Sequence, residues 1–255
     1  NSFLRNSLAA LLLASAATGA FAEQNKVTSP NGLLVVNVED HAGKLYYDVT
    51  YDGKQMMQPS LLGVVANVGD FSQNLVYKSV DNRKVENSYT MRSTKASLVN
   101  YKANEMSVTY TNDKKLPVVV KFRVSDNDIA FRYEFGEIDN RTHILIDEEK
   151  TAFCLPSQTT TFLSPQSDPM IGWKRSKPSY EEEYTPDAPL TAKSKYGKGY
   201  TFPCLFHVGN DGWVLVSETG THGNYPGCRL SDYYADKGYT IDVPRSEERR
   251  VGKEC

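Results

Sequence analysis

Cysteine is scarce in this chain: Cys154, Cys204, Cys228 and Cys255 are the four present in 255 residues. None stands in the CxxC spacing of a structural zinc site or a redox dithiol. Four cysteines allow three pairings, and the expectation is that the first three are buried thiols. Charge of one sign is missing as well. Lysine plus arginine number 29 against 31 for aspartate plus glutamate, scattered rather than blocked, so no basic stripe marks a nucleic-acid surface. Histidine pairing is absent: His41, His143, His207 and His222 form no HxH or HxxxH, and each reads as a turn or surface residue before it reads as a ligand. There is no GxSxG, no P-loop and no GxGxxG, which removes motif support for acyl transfer and nucleotide chemistry. Helical periodicity is missing too, beyond the first two dozen residues.

One long apolar run exists. It lies between Leu8 and Ala17, follows Arg5, and leads to Ala20-Phe21-Ala22. It is too short to span a bilayer and has the layout of a secretory signal, with cleavage expected before Glu23. The expected organisation is therefore a signal peptide over 1–22 and a domain over 23–244. The charged tail 245–255 (RSEERRVGKEC) is expected to be non-native. The mature protein is expected to be exported, to the periplasm or the exterior, with no membrane span.

What fills the domain is alternation. In EMSVTYT (105–111), Met106, Val108 and Tyr110 alternate with Ser107, Thr109 and Thr111. In DIAFRYEF (128–135), Ile129, Phe131, Tyr133 and Phe135 alternate with Ala130, Arg132 and Glu134. A period of two puts one set on a core and the other in water. LLVVNV (33–38), KLYYDVTY (44–51), LPVVVKFRV (116–124) and GWVLVSE (212–218) add β-branched and aromatic runs. Ala42-Gly43, Asp52-Gly53 and Asp211-Gly212 supply the turns between them. The fold class predicted is all-β, an antiparallel sandwich or barrel.

Residues 150–199 have a different texture. Pro156, Pro165, Pro169, Pro178, Pro186 and Pro189 interrupt them, yet Phe162, Trp173 and four tyrosines lie in or beside the segment. Disordered linkers are poor in aromatics, so a long ordered loop is expected here. It carries the adjacent carboxylates Glu181, Glu182 and Glu183 between Tyr180 and Tyr184. A solvated face is the ordinary use of such a triplet. In an extended chain, however, alternate residues stand roughly 6.5–7 Å apart, close enough to converge on one hard cation such as Ca²⁺. Glycosidase acid pairs come from separate elements flanking the sugar, so the triplet alone does not make a catalytic dyad.

The ordered set SPNGLLVVNV, GKLYYDVTYDGK, IAFRYEF, WKRSKPSYEEEYT and FPCLFHVGNDGWVLVSETG resembles the N-terminal domain of glycoside hydrolase family 97, across about 23–244. The resemblance implies a β-super-sandwich similar to the galactose mutarotase fold, packed in a longer parent on a catalytic (β/α)₈ barrel. The parent would be an exported α-glucosidase or α-galactosidase acting on oligosaccharides. It would carry Ca²⁺ held mostly by barrel glutamates and by one glutamate preceding a tyrosine in the sandwich's long loop. That glutamate matches Glu183, with Glu181 and Glu182 as fallback positions. Trp173, Lys177 and Tyr180 would line the substrate rim, although core packing is the ordinary role of a tryptophan. The catalytic residues would lie on the absent barrel, so this chain is expected to be inert by itself and to hold calcium weakly. A free-standing carbohydrate-binding β-sandwich without catalysis is the alternative, and an adhesive envelope module with a merely solvated glutamate loop is a third reading.

Overall fold

The computed structural model describes residues 25–95, 97–138, 143–166, 183–220 and 227–243. Among them there is no helix, and the all-β prediction stands.

The first sheet is a meander of β1 (Lys26–Thr28), β2 (Leu34–His41), β3 (Lys44–Tyr51) and β4 (Lys54–Leu62). Its two tight hairpins need two consecutive residues at positive φ. Ala42 and Gly43 supply 53° and 76°, and Asp52 and Gly53 supply 49° and 73°, values that match the twist of paired strands. Strict alternation follows: Leu34, Val36 and Val38 on β2 and Leu45, Tyr47 and Val49 on β3 are buried.

Short strands β5 (Val64–Ala66) and β6 (Gly69–Phe71) lead to a second large sheet. This comprises β7 (Val76–Thr90), β8 (Leu98–Thr111), β9 (Pro117–Ser125) and β10 (Ile129–Phe135), in the order β10-β9-β8-β7. Its inner face presents Met106, Val108, Tyr110, Val118, Val120, Phe122 and Val124, all buried. That face meets the first sheet through aromatic rings. Tyr47 lies 5.9 Å from Phe122 and 5.8 Å from Phe131 between centroids, and Phe122 stacks on Phe131 at 5.4 Å. Such offset pairs add to the apolar area they remove from water. Asn104 Nδ2 also donates to the Thr28 carbonyl at 2.7 Å, tying β8 to β1.

The chain then crosses to a further sheet. β11 (Ile146–Glu149) returns to pair with β5. β12 (Ala152–Phe153), β13 (Thr159–Pro165), β14 (Ala188–Pro189), β15 (Tyr200–Val208), β16 (Gly212–Val216), β17 (Arg229–Leu230) and β18 (Tyr239–Asp242) follow. They assemble in the order β12-β18-β17-β15-β13-β14, with β16 also paired to β15. The inward residues Leu163, Cys204, Phe206, Leu230 and Tyr239 join the same core as the first two sheets. Gly199, at φ +79°, marks one close approach. A Cβ there would stand 2.0 Å from the Leu230 carbonyl oxygen, so the β15–β17 junction requires glycine.

Two differences from the sequence reading have physical causes. The described part of residues 150–199 contains strands β12, β13 and β14, and residues 167–182 of the expected loop lie outside the described residues. In β13 the buried positions include Thr159, Thr161 and Leu163, so two of these three core contacts come from threonines that do not read as apolar. The other difference is β7, which no alternation marks. Its fifteen residues are mostly polar and exposed on both faces, and pairing with β8 along its whole length holds it extended. Of the three cysteines expected to be buried, Cys204 is buried, whereas Cys154 and Cys228 are only partly so.

Two glutamates show how burial and partners compete. Glu105 projects from the outer face of β8, directly opposite Arg83 on β7 and Arg123 on β9. Its side chain is 1% exposed, and the guanidinium Nε atoms donate to it at 2.6 Å and 2.8 Å. Burial pushes this carboxyl up, but the hydrogen bonds and charges of both arginines outweigh burial and hold it below the usual glutamate value. Glu149, on β11, goes the other way. Burial raises it, a hydrogen bond with Thr151 opposes the rise, and the Glu218 charge reinforces it. Thr151 also shares a 2.7 Å hydrogen bond with the Tyr133 hydroxyl, which accepts from the Gly63 N–H at 2.8 Å.

The signs give opposite pH dependence. Glu105, depressed in the fold, stabilises above the ordinary glutamate pKa and loses that contribution as pH falls through its folded value. Glu105→Gln is therefore expected to destabilise by about 1.5–3 kcal/mol at neutral pH, the gap from wild type closing on acidification in thermal melts. Glu149, raised in the fold, stabilises at acid pH and loses that contribution as pH rises through its folded value. Glu149→Gln is expected to raise the melting temperature at pH 8 and to give no gain below about pH 4.3, the ordinary glutamate value. A lower melting temperature for Glu149→Gln than for wild type at pH 8 would contradict this.

Candidate functional site

Glu183 lies on the segment that leads into β14, and its side chain is exposed. The chain there is anchored by its neighbours. Tyr184 packs on Phe162 of β13 with ring centroids 4.2 Å apart and planes inclined by 44°. Further along, Thr160 Oγ1 donates to Asp187 Oδ1 at 3.2 Å, and Ala188 and Pro189 pair with Thr161 and Thr160. The residues that follow Glu183 are thus held to β13. Trp173, Lys177, Tyr180, Glu181 and Glu182 lie outside the described residues, so of the predicted site the structure places Glu183.

An exposed carboxylate is a hard oxygen donor of the kind Ca²⁺ takes, but the ion needs six to eight oxygens. Among the described residues no group of three or more His, Cys, Asp or Glu side chains could hold a metal ion. The donor type fits calcium and the donor number does not, so Glu183 could serve only as one ligand of a set completed elsewhere.

Other chemistry is weak here. Burial pushes the Cys204 thiol up to about 12. Cys228 is raised to about 12 by burial and then by the Glu218 carboxylate, whose oxygens accept from the Cys228 N–H at 3.1 and 3.3 Å. Cys154 is raised by burial as well. A thiol so shifted stays protonated at neutral pH and is a poor nucleophile. An open polar cleft of about 390 Å³, lined by Gln55, Gln58, Cys154, Tyr233, Asp236 and Lys237, contains none of the predicted site residues. His41 bonds Glu39 at 3.0 Å and His207 stacks on Trp213, which agrees with reading both as surface histidines.

The sequence reading missed the aromatic surroundings of the loop. Phe162 supports Tyr184, and Trp213 stacks flat on His207, with centroids 4.1 Å apart and planes within 11°. A signal was present. FPCLFHV (202–208) and WVLV (213–216) are apolar at both odd and even positions, a pattern of strands covered on both faces.

The comparisons with known proteins bear on the family and the fold. The family model for the glycosyl-hydrolase 97 N-terminal domain matches residues 27–247. The crystal structure of a β-arabinopyranosidase superposes with a TM-score of 0.84 at 48% identity, over 87% of this chain and 36% of that one. A glycoside hydrolase family 97 enzyme from Pseudoalteromonas sp. strain K8, solved in complex with panose, shares the fold at 20% identity and a TM-score of 0.71, over 86% of this chain and 32% of its own. The retaining α-galactosidase of Bacteroides thetaiotaomicron is 24% identical over 212 residues, which is 82% of this chain and 30% of that protein. The chain therefore spans about a third of the length of these relatives. By the family match across most of its length, the chain belongs to the glycosyl-hydrolase 97 N-terminal family.

Proposed function

We propose that this chain is the N-terminal sandwich of an exported glycoside hydrolase, and that it supplies one calcium ligand, Glu183, to a site whose remaining ligands and catalytic acids belong to a barrel in the same parent polypeptide. The observation that carries the reading is the family match over residues 27–247, with Glu183 exposed next to Tyr184, whose ring packs on Phe162. Calcium in such a site supplies fixed positive charge beside the sugar and its leaving group. The chain's own part is to hold a carboxylate at that place, with Trp173, Lys177 and Tyr180 proposed for the rim. Residues 1–22 would direct export.

The substrate proposed is an oligosaccharide or glycoside of galactose configuration. Support comes from the 48% identity to the β-arabinopyranosidase against 24% for the α-galactosidase and 20% for the panose-bound enzyme. A β-L-arabinopyranoside has the ring configuration of an α-D-galactopyranoside and lacks its hydroxymethyl group, so one pocket shape relates the two.

In the parent enzyme, Glu183→Gln is expected to weaken calcium binding at least tenfold by isothermal titration, about 1.4 kcal/mol, with hydrolysis of p-nitrophenyl α-galactoside or β-L-arabinopyranoside recovering in excess calcium. Unchanged calcium affinity would make Glu183 a solvated residue. Oligosaccharide binding by the isolated chain, with no hydrolytic parent, would favour the free-standing carbohydrate-binding module.

A further inference from the structure

The polar cleft of about 390 Å³ lies between three elements that brace one another. On one side is β4. The Gln58 N–H donates to the Cys154 carbonyl at 2.7 Å, and the Cys154 N–H donates to Ser60 Oγ at 2.9 Å, which joins β4 to the end of β12. The third element is the turn 234–238, closed by reciprocal backbone hydrogen bonds of 2.9 and 2.8 Å between Tyr234 and Gly238. Gly238, at φ +70°, lets this turn come down on β12, because a Cβ there would stand 2.5 Å from the Phe153 carbonyl oxygen. Cys154 Sγ then donates to the Lys237 carbonyl at 3.4 Å. The cleft is held open by the fold itself.

The groups that line it keep hydrogen-bonding capacity unspent. Among the described residues the Gln58 amide, the Asp236 carboxylate and the Tyr233 hydroxyl have no hydrogen-bond partner. Lys237 is turned to the Tyr234 ring, with Nζ 4.3 Å from its centroid, and the Tyr233 ring is backed by Tyr239 at 5.4 Å. This lining selects a class of ligand. An apolar ligand would strip water from an amide and a carboxylate and return no hydrogen bond. An anion would meet Asp236, and a metal ion would find no group of three or more ligating side chains among the described residues. What suits the cleft is an uncharged ligand rich in hydroxyls. The planar heads of Gln58 and Asp236 each present two polar atoms, a match for vicinal hydroxyl groups, and Tyr233 adds an apolar ring with a polar tip. The volume is that of a small-ligand site, roughly 300–1,000 Å³. The cleft also stands away from the Glu183 segment. β12 and β14 are the two ends of the sheet order β12-β18-β17-β15-β13-β14, which puts them roughly 24 Å apart at the usual strand spacing.

We infer that the cleft between β4, β12 and the 234–238 turn is a binding site for an uncharged sugar residue of an oligosaccharide, held by Gln58, Asp236 and Tyr233. That the hydroxylated ligand is a sugar rests on the proposed hydrolase reading, whereas the cleft itself needs neither calcium nor a barrel. A glycan held here by one residue keeps its other residues at high local concentration near the chain.

An NMR titration of the isotope-labelled chain in EDTA tests this, with melibiose, maltotriose, mannitol and inorganic phosphate as probes. Melibiose or maltotriose is expected to give saturable shifts at the Gln58 side-chain amide and at the backbone amides of Cys154 and Lys237. Gln58→Ala and Asp236→Ala are each expected to weaken binding about fivefold, the worth of one hydrogen bond. Both side chains are exposed, so the melting temperature should hold. Ala235→Trp, on the exposed rim of the same cleft, fills it and is expected to abolish binding, which keeps the test decisive if an alanine variant melts low. No shift with either sugar overturns the site. So do shifts that ignore all of these substitutions, an equal response to mannitol, which has hydroxyls and no ring, or a stronger response to phosphate. Binding that returns only with calcium and fails in Glu183→Gln belongs to the Glu183 segment and also overturns the cleft. Hydrolysis by the parent is scored separately. A parent that cleaves glycosides while the cleft stays silent leaves the hydrolase reading standing, and sugar in the cleft of a chain with no hydrolytic parent defeats that reading alone.

Discussion

Every sheet in this domain must keep one face dry, and the contact of Tyr47 with Phe122 and Phe131 is where the first two sheets do so together. With no helix among the described residues, apolar area has to be buried by sheet against sheet. The aromatic cluster sets that spacing. It also reaches outward, because the Tyr47 hydroxyl donates to the Ala152 carbonyl at 3.0 Å, and Gln58 on β4 receives the chain at Cys154. The third and fourth sheets are thus hung on the first, and the position of β13, β15 and the Glu183 segment follows from that attachment.

Polar groups work at the edges of this core. Glu105 is nearly inaccessible and yet charged, because two arginines on adjacent strands meet it in register. Glu149 meets no such cations among the described residues, and burial pushes it toward its neutral form. Among the described residues neither belongs to a group that could hold a metal ion, whereas Glu183 is exposed next to Tyr184.

Strands with one wet and one dry face were legible from sequence, as β2, β3, β8, β9 and β10 show, because alternation survives in their side chains. Turns at Ala42-Gly43 and Asp52-Gly53 were legible because positive φ restricts residue choice. β4 was obscured by Met56 and Met57, which are both buried across an irregular register; β7 was obscured because its partner strand, not its own pattern, keeps it extended. Thr159 and Thr161 hid β13 by filling core positions with hydroxyl-bearing side chains. Of the site, Glu183 was reached through the resemblance of its loop to a known family. The structure adds the Phe162 anchor of Tyr184, a contact between residues far enough apart in sequence that no local pattern encodes it. The doubly apolar strands around Leu205 and Trp213 were visible as letters, but their meaning depends on knowing which face the core already occupies.

Whether this sandwich is one part of a hydrolase whose catalytic part is encoded with it is tested most directly by the source DNA, sequenced in frame beyond codon 255. The expected result is an open frame that continues for several hundred codons into alternating strands and helices, with glutamates or aspartates at the strand ends. A stop codon at that point, confirmed in independent reads, would contradict that reading and leave a sandwich that acts alone.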